Sequence, residues 1–252
     1  MKNEGNLERK PLVQDFASIE EFKSSFFENI DDKTVIDSTA DKYDKIPSYL
    51  KILKNFDPTG IISLIDDVLS ENRAKREQER IIEALYYMFQ KIRIHEVVLR
   101  ESIGCQQEQL YVLTEKYFEN CKESYDKEKV RYFSQVWLTG IIDKENTIDE
   151  KIYVFKVISS LSIDQIHVLK YLYDKVDSYF NNDLKQKGSA NKRPYGIKGY
   201  AEENSMDYAY VQQICIDMQG KGLLFLGAET MLSGQAHYFM PTDYIDTLIK
   251  YI

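Results

Sequence analysis

A chain of 252 residues is long enough for one large domain or two small ones, either with a buried core. Eleven glycines and five prolines are about half the usual share, which argues against a turn-rich all-β chain. Charged residues at 29% and hydrophobic residues at 43% argue against wholesale disorder, and a net charge of −8 excludes a general coat of positive charge.

The first 17 residues mix charge, glycine and proline without periodicity and read as a loose arm. Ser18 followed by Glu21 has the spacing of a capping box, in which two side chains satisfy orphan N–H groups at a helix start. Phe22, Phe26 and Ile30 stripe that short helix, and the aspartate-rich residues 31–45 read as an exposed connection. Asp57-Pro58 is a second start signal, followed by Ile61, Ile62, Leu64, Ile65, Val68 and Leu69. From Glu71 to Arg80 the charges alternate in sign, as on a solvated helix face. Ile81, Leu85, Met88, Ile92, His95 and Leu99 then resume the stripe. One long helix, or two with a slight break, is expected over 58–100, with Gly104 in the break that follows.

Leu110, Leu113, Tyr117 and Cys121 stripe the next helix; Val130, Phe133, Trp137 and Ile141 stripe another, expected to end at Gly140. Thr147 with Glu150 and Ser162 with Gln165 repeat the capping box ahead of two further apolar stripes. Residues 181–199 form a polar loop carrying Lys185, Lys187, Lys192, Arg193 and Lys198. Ser205 begins a helix striped by Val211, Ile214, Cys215 and Met218, with Gly220 as its left-handed cap. Leu223–Leu226 and His237–Met240 read as strands around a turn at Ser233-Gly234, and Tyr244–Ile252 as a last helix. The expected fold is mainly α: a helical N-terminal region followed by a winged-helix-like C-terminal module with a small two-stranded β-ribbon. The expected division is an arm and short helix over 1–45, a helical domain over 46–160 and the winged-helix-like domain over 161–252.

Chemistry leaves little trace. His95, His167 and His237 make no HxxxH or HxxE pair, so no metal site is expected; His95, on an apolar stripe, reads as a core or boundary histidine. Cys121 and Cys215 fall on apolar stripes and read as small buried hydrophobes, while Cys105 is the candidate for an exposed thiol. Neither GxxxxGK[ST] nor GxGxxG occurs, so no cofactor is expected. The tyrosines mostly neighbour core positions and read as packing. Three cysteines, odd in number and far apart, fit a reducing compartment, and no apolar run approaches the roughly 18 residues of a membrane span. A cytoplasmic protein is expected.

A recognition helix normally brings cations to phosphates and Arg, Lys, Asn or Gln to base edges. Residues 206–219 hold Gln212, Gln213 and Gln219 but neither Lys nor Arg, and they carry Asp207 and Asp217. Nucleic acid is therefore disfavoured as the partner and protein favoured. Lys185, Lys187, Lys192, Arg193 and Lys198 are the counterweight, as candidate nucleic-acid or partner contacts. Trp137, the only tryptophan, lies four residues after Phe133 and four before Ile141. With Tyr132 and Val136 beside them, these make a helix apolar around more than one face, to be covered on two sides. Phe133, Trp137 and Ile141 are expected to form an interdomain core.

Three segments in order carry a family likeness: ENRAKREQERIIEALYYMFQKI, LTEKYFENCKESYDKEKVRYFSQVWLTGIID, and LSIDQIHVLKYLYD with a tail ending in YFMPTDYIDTLIKYI. Over about residues 45–252 the chain resembles uncharacterised prokaryotic proteins related to the abortive-infection alpha family. The resemblance implies a bacterial or phage-borne protein connected with antiphage defence and brings no catalytic site. The leading expectation is a non-enzymatic helical interaction protein in antiphage defence or a stress response, with a protein partner or a second copy of itself. The alternatives are a DNA-binding winged-helix transcriptional regulator, and an effector or toxin with an unrecognised active site.

Overall fold

The computed structural model describes residues 18–30, 75–95, 98–99, 107–183, 197–226 and 239–252. They are mainly helical, with a small two-stranded antiparallel sheet near the C-terminus. Two compact units divide the chain, Met1–Phe155 and Lys156–Ile252. The arm, the 31–45 connection, Asp57-Pro58, the Ile61–Leu69 stripe and Gly104 lie outside the described residues.

The first unit begins with α1 (Ile19–Ile30), where Ser18 Oγ accepts from the Glu21 N–H at 3.2 Å, one half of the expected capping box. Helices α2 (Lys75–Ile94), α3 (Gln107–Glu123) and α4 (Lys127–Ile142) pack pairwise on one another. Their buried faces are the predicted stripes: Ile81, Leu85, Met88 and Ile92; Leu110, Leu113, Tyr117 and Cys121; Val130, Phe133, Trp137 and Ile141. Apolar residues three and four apart share one helix face, so burying that face on two neighbours makes the three-helix arrangement. The predicted 58–100 helix is represented among the described residues by α2, followed by a turn at His95, and by helical residues 98–99, where the Leu99 N–H donates to His95 O at 3.0 Å.

Two expectations fail in this unit. Arg80, assigned to a solvated face, is only 7% exposed, because the α3–α4 turn lies over it and supplies carbonyl acceptors at Ser124 and Tyr125. Gly140 does not end α4. The helix runs to Ile142, and a Cβ on Gly140 would stand 3.3 Å from Leu113 Cδ1, so the glycine permits close approach of α3. Asp143 stops the helix, and the loop after it leads to α5 (Ile148–Ser160), opened by a complete capping box. The Thr147 N–H donates to Glu150 Oε2 at 2.6 Å and the Glu150 N–H to Thr147 Oγ1 at 3.3 Å. Those bonds hold the Glu150 carboxyl below its ordinary range.

The second unit holds the end of α5, then α6 (Ile163–Asp183), α7 (Ile197–Glu203), α8 (Tyr208–Gly220), β1 (Leu224–Leu226), β2 (Phe239–Pro241) and α9 (Tyr244–Lys250). The third capping box is also complete: the Ser162 N–H donates to Gln165 Oε1 at 2.8 Å and the Gln165 N–H to Ser162 Oγ at 3.1 Å. Helix α6 lies against α7, α8 and β2, and α8 against β1. The strands pair Leu224 with Pro241, Phe225 with Met240 and Leu226 with Phe239.

The turns differ in detail from the predicted ones. Helix α8 starts not at Ser205 but after Asp207, whose carboxylate accepts from the Tyr210 N–H at 3.0 Å. Ser205 instead ends α7, with φ +54, while the Met206 N–H reaches Ala201 O at 2.9 Å. The left-handed residue after α8 is Gly222 (φ +73), not Gly220. There the Leu223 N–H bonds Met218 O at 3.0 Å and the Gly222 N–H bonds Gln219 O at 2.9 Å, the paired pattern of a glycine-terminated helix. A left-handed backbone costs an L-residue roughly 1–2 kcal/mol that glycine escapes. Ser205→Gly is therefore expected to stabilise the chain by up to about 1 kcal/mol, read as a higher urea midpoint.

Candidate functional site

The C-terminal surface is set by how α8 divides its residues. Val211, Ile214, Cys215 and Met218 are buried at the helical spacing, which leaves Tyr210, Gln213, Ile216 and Asp217 facing outward. Tyr210 is 47% and Ile216 45% exposed. Phe225 of β1 is equally exposed and pairs with Met240 across the strands, while Leu224 and Phe239 are buried. Large apolar side chains therefore remain in solvent on both α8 and the strand that follows it.

The polar partners of this surface are local. The Tyr210 hydroxyl donates to Asp164 Oδ2 at 2.7 Å, and that bond to a carboxylate raises the phenol's pKa. The Lys221 ammonium pairs with Asp217, which also accepts from Gln165 Nε2 at 2.5 Å; both hold the Asp217 carboxyl below its ordinary range. Of the five predicted contact cations only Lys198 lies within the described residues; Lys185, Lys187, Lys192 and Arg193 lie outside them. Lys198 Nζ sits 3.8 Å from Glu202 Oε1 one turn along α7, an exposed pair of small energetic weight. Both described cations flanking α8 thus have a carboxylate of their own.

The other predicted positions are readily placed. Cys121 and Cys215 are fully buried, and Cys105 and His237 lie outside the described residues. His95 and His167 are half-buried on α2's end and on α6, and among the described residues no three His, Cys, Asp or Glu side chains gather as metal ligands. Burial pushes the Cys121 thiol well up and the Cys215 thiol up to about 12. Since the thiolate is the nucleophile, burial leaves both thiols protonated and unreactive at pH 8. Neither thiol is expected to react with Ellman's reagent at pH 8 until denaturant is added; prompt native-state labelling of Cys121 or Cys215, located by peptide mapping, would contradict this. Tyr153, read as neighbouring the core, is 52% exposed.

Phe133, Trp137 and Ile141 are buried, as the stripe required. The Trp137 indole N–H donates to Thr114 Oγ1 at 3.0 Å, its ring lies 6.2 Å from Tyr117, and Phe133 lies 6.3 Å from Phe155, all partners within the first unit.

Sequence reasoning missed two buried ionic groups. Arg80 Nη1 donates to Glu83 Oε2 at 2.5 Å, and Lys127 Nζ and Lys23 Nζ lie 3.2 and 3.9 Å from the other carboxylate oxygen. Lys151, 1% exposed, donates to Asp143 O at 2.6 Å, and its burial lowers the ammonium pKa. The Arg80–Glu83 spacing of three residues was the available signal for the first. Lys151 had none, because its acceptor is a main-chain carbonyl. These contacts hold helices together; they do not assemble a nucleophile with a base. Among the described residues no single helix is long and apolar enough to cross a membrane. Comparison of the chain with protein-family models, with curated proteins and with solved structures finds no match.

Proposed function

We propose that the chain is a non-enzymatic helical interaction protein whose C-terminal unit is a winged-helix-like module that binds protein in the cytoplasm. The order α6, α7, α8, β1, β2 supports reading α8 as the helix a DNA-binding relative would place in the major groove. One observation carries the choice of partner. The outward face of α8 offers Tyr210, Gln213, Ile216 and Asp217 and no Lys or Arg, so the counterion-release contribution that dominates DNA affinity has no source there. Exposed Tyr and Ile beside a neutral amide suit a protein surface instead. The setting we propose is antiphage defence of the abortive-infection kind, or a related stress response, on the resemblance described above.

The test joins a phage challenge to a DNA titration. Cells expressing the chain should resist at least one phage, and Ile216→Arg should abolish resistance while the purified variant keeps its helical circular dichroism. Neither protein should shift a labelled random duplex at low salt. Duplex binding by the wild-type chain that weakens steeply with added salt would favour the regulator reading. Phage resistance unchanged by Ile216→Arg would remove α8 from the interface.

A further inference from the structure

Helices α2 and α4 run in the same direction, and their contacts repeat with one offset. Arg80 Nε donates to Ser124 O at 3.3 Å, and Lys127 Nζ lies 3.2 Å from Glu83 Oε1. The Arg131 guanidinium lies 5.5 Å from the centre of the Tyr87 ring, and Lys91 Nζ donates to Gln135 Oε1 at 2.5 Å. In each pair the α4-side partner is 44 positions further along the chain. Four-residue steps from Glu83 to Tyr87 to Lys91, matched from Lys127 to Arg131 to Gln135, keep the last three pairs on one seam.

Charge is unbalanced along this seam. Elsewhere in the first unit Lys23, Arg80, Lys116 and Lys127 each meet a carboxylate. Among the described residues Arg131 and Lys91 meet none. Arg131 is exposed and lies over an aromatic ring; half-buried Lys91 meets a neutral amide, which Thr139 Oγ1 fixes in turn at 3.2 Å from Gln135 Nε2. Stacking leaves the edge of the guanidinium open to an anion, and an ammonium bonded to one amide keeps two further donors. Beyond Lys91 the same stripe turns apolar, because Tyr87, Lys91, Ile94 and Val98 follow at helical spacing. The Leu99 N–H to His95 O bond at 3.0 Å keeps Val98 one turn from Ile94. Ile94 is 65% and Val98 41% exposed.

We infer that the α2–α4 seam is a docking site for a helix of a partner protein that carries two carboxylates one turn apart, followed by aliphatic side chains. The Arg131–Tyr87 and Lys91–Gln135 pairs are four residues apart, about 6 Å along the axis. Asp or Glu side chains at i and i+4 of a helix have that same spacing. A phosphodiester or a free phosphate would answer the two cations alone. A helix with aliphatic side chains also takes Ile94 and Val98 out of water. The site lies wholly in the first unit and does not rest on the reading of α8.

The test uses a fluorescein-labelled, alanine-based helical peptide with two glutamates one turn apart followed by two leucines on the same face. A second peptide carries the same residues in reverse order. At low salt at least one of them should bind the full chain saturably by fluorescence anisotropy. Lys91→Gln and Arg131→Gln should each weaken binding about fivefold or more, and Ile94→Ser should weaken it several-fold. Peptides with glutamine in place of glutamate should not bind. Lys116→Gln, whose lysine has Glu119 at 2.6 Å, and Ile216→Arg on α8 should bind as the wild type does. The inference is overturned by no saturable binding of either peptide. It is equally overturned by unchanged affinity in Arg131→Gln and Ile94→Ser chains, both altered at exposed positions and checked for helical circular dichroism. A labelled single-stranded oligonucleotide that binds more tightly than the peptides, and weakens in the same variants, would make the ligand nucleic acid and overturn the partner-helix form.

Discussion

Replacing Trp137 with alanine is expected to lower the stability of the chain by about 3–5 kcal/mol, the range for emptying a large aromatic site. The indole is 1% exposed, so the cavity opens inside the α2–α3–α4 bundle with no solvent to fill it. A second loss adds to the first, because Thr114, itself 3% exposed, loses the donor at 3.0 Å to its hydroxyl. Urea unfolding followed by far-UV circular dichroism measures the effect as a lower midpoint at unchanged slope. The same residue reports on the native state. Its emission should be blue-shifted and insensitive to iodide before unfolding, and red-shifted and quenchable after it. A freely quenched native indole, or an alanine variant as stable as the wild type, would contradict the placement.

Glu83→Ala is expected to cost a similar amount, about 3–5 kcal/mol, for a different reason. The carboxylate is 2% exposed and is the acceptor for the largely buried Arg80 guanidinium at 2.5 Å. Its removal leaves the buried Arg80 guanidinium without its carboxylate beside two further cations, Lys127 and Lys23, of which Lys23 keeps the exposed Glu20 at 3.7 Å. Arg80→Met should cost less, because Glu83 keeps both lysines and the turn carbonyls lose only their donors. The double variant Arg80→Met with Glu83→Met should recover most of the loss, since an apolar pair carries no desolvation cost. Denaturation midpoints of the two singles and the double close the cycle. Equal costs for both singles that add in the double would show that the pair is not coupled.

The parts of the fold legible in the sequence were those fixed by neighbours in the chain. The boxes at Thr147–Glu150 and Ser162–Gln165 close reciprocally, because the side chain and the N–H it reaches are three residues apart in any helix start. Burial of Leu113, Tyr117, Phe133 and Trp137 follows from spacing alone, since a helix puts residues three and four apart on one face. The turns were legible less sharply. Ser205 and Asp207 are both cap formers, and hydrogen bonds decided that one ends α7 while the other starts α8. Gly220 and Gly222 are both candidate stops, and the chain's need to feed Leu223 back onto Met218 selected the second.

For the candidate sites, the sequence by itself determined that α8 would carry no cation, because composition does not depend on folding. It also placed Cys121 and Cys215 in the core, by their stripes. Only the tertiary structure decided the rest. It turned Ile216 and Phe225 outward, pairing Lys221 with Asp217 beside them. Most of all, it made Arg80 a buried residue. On an isolated helix Arg80 belongs to a run of alternating charge, and water would solvate it; in the folded chain the carbonyls of Ser124 and Tyr125, more than forty residues away, arrive over it and take water's place.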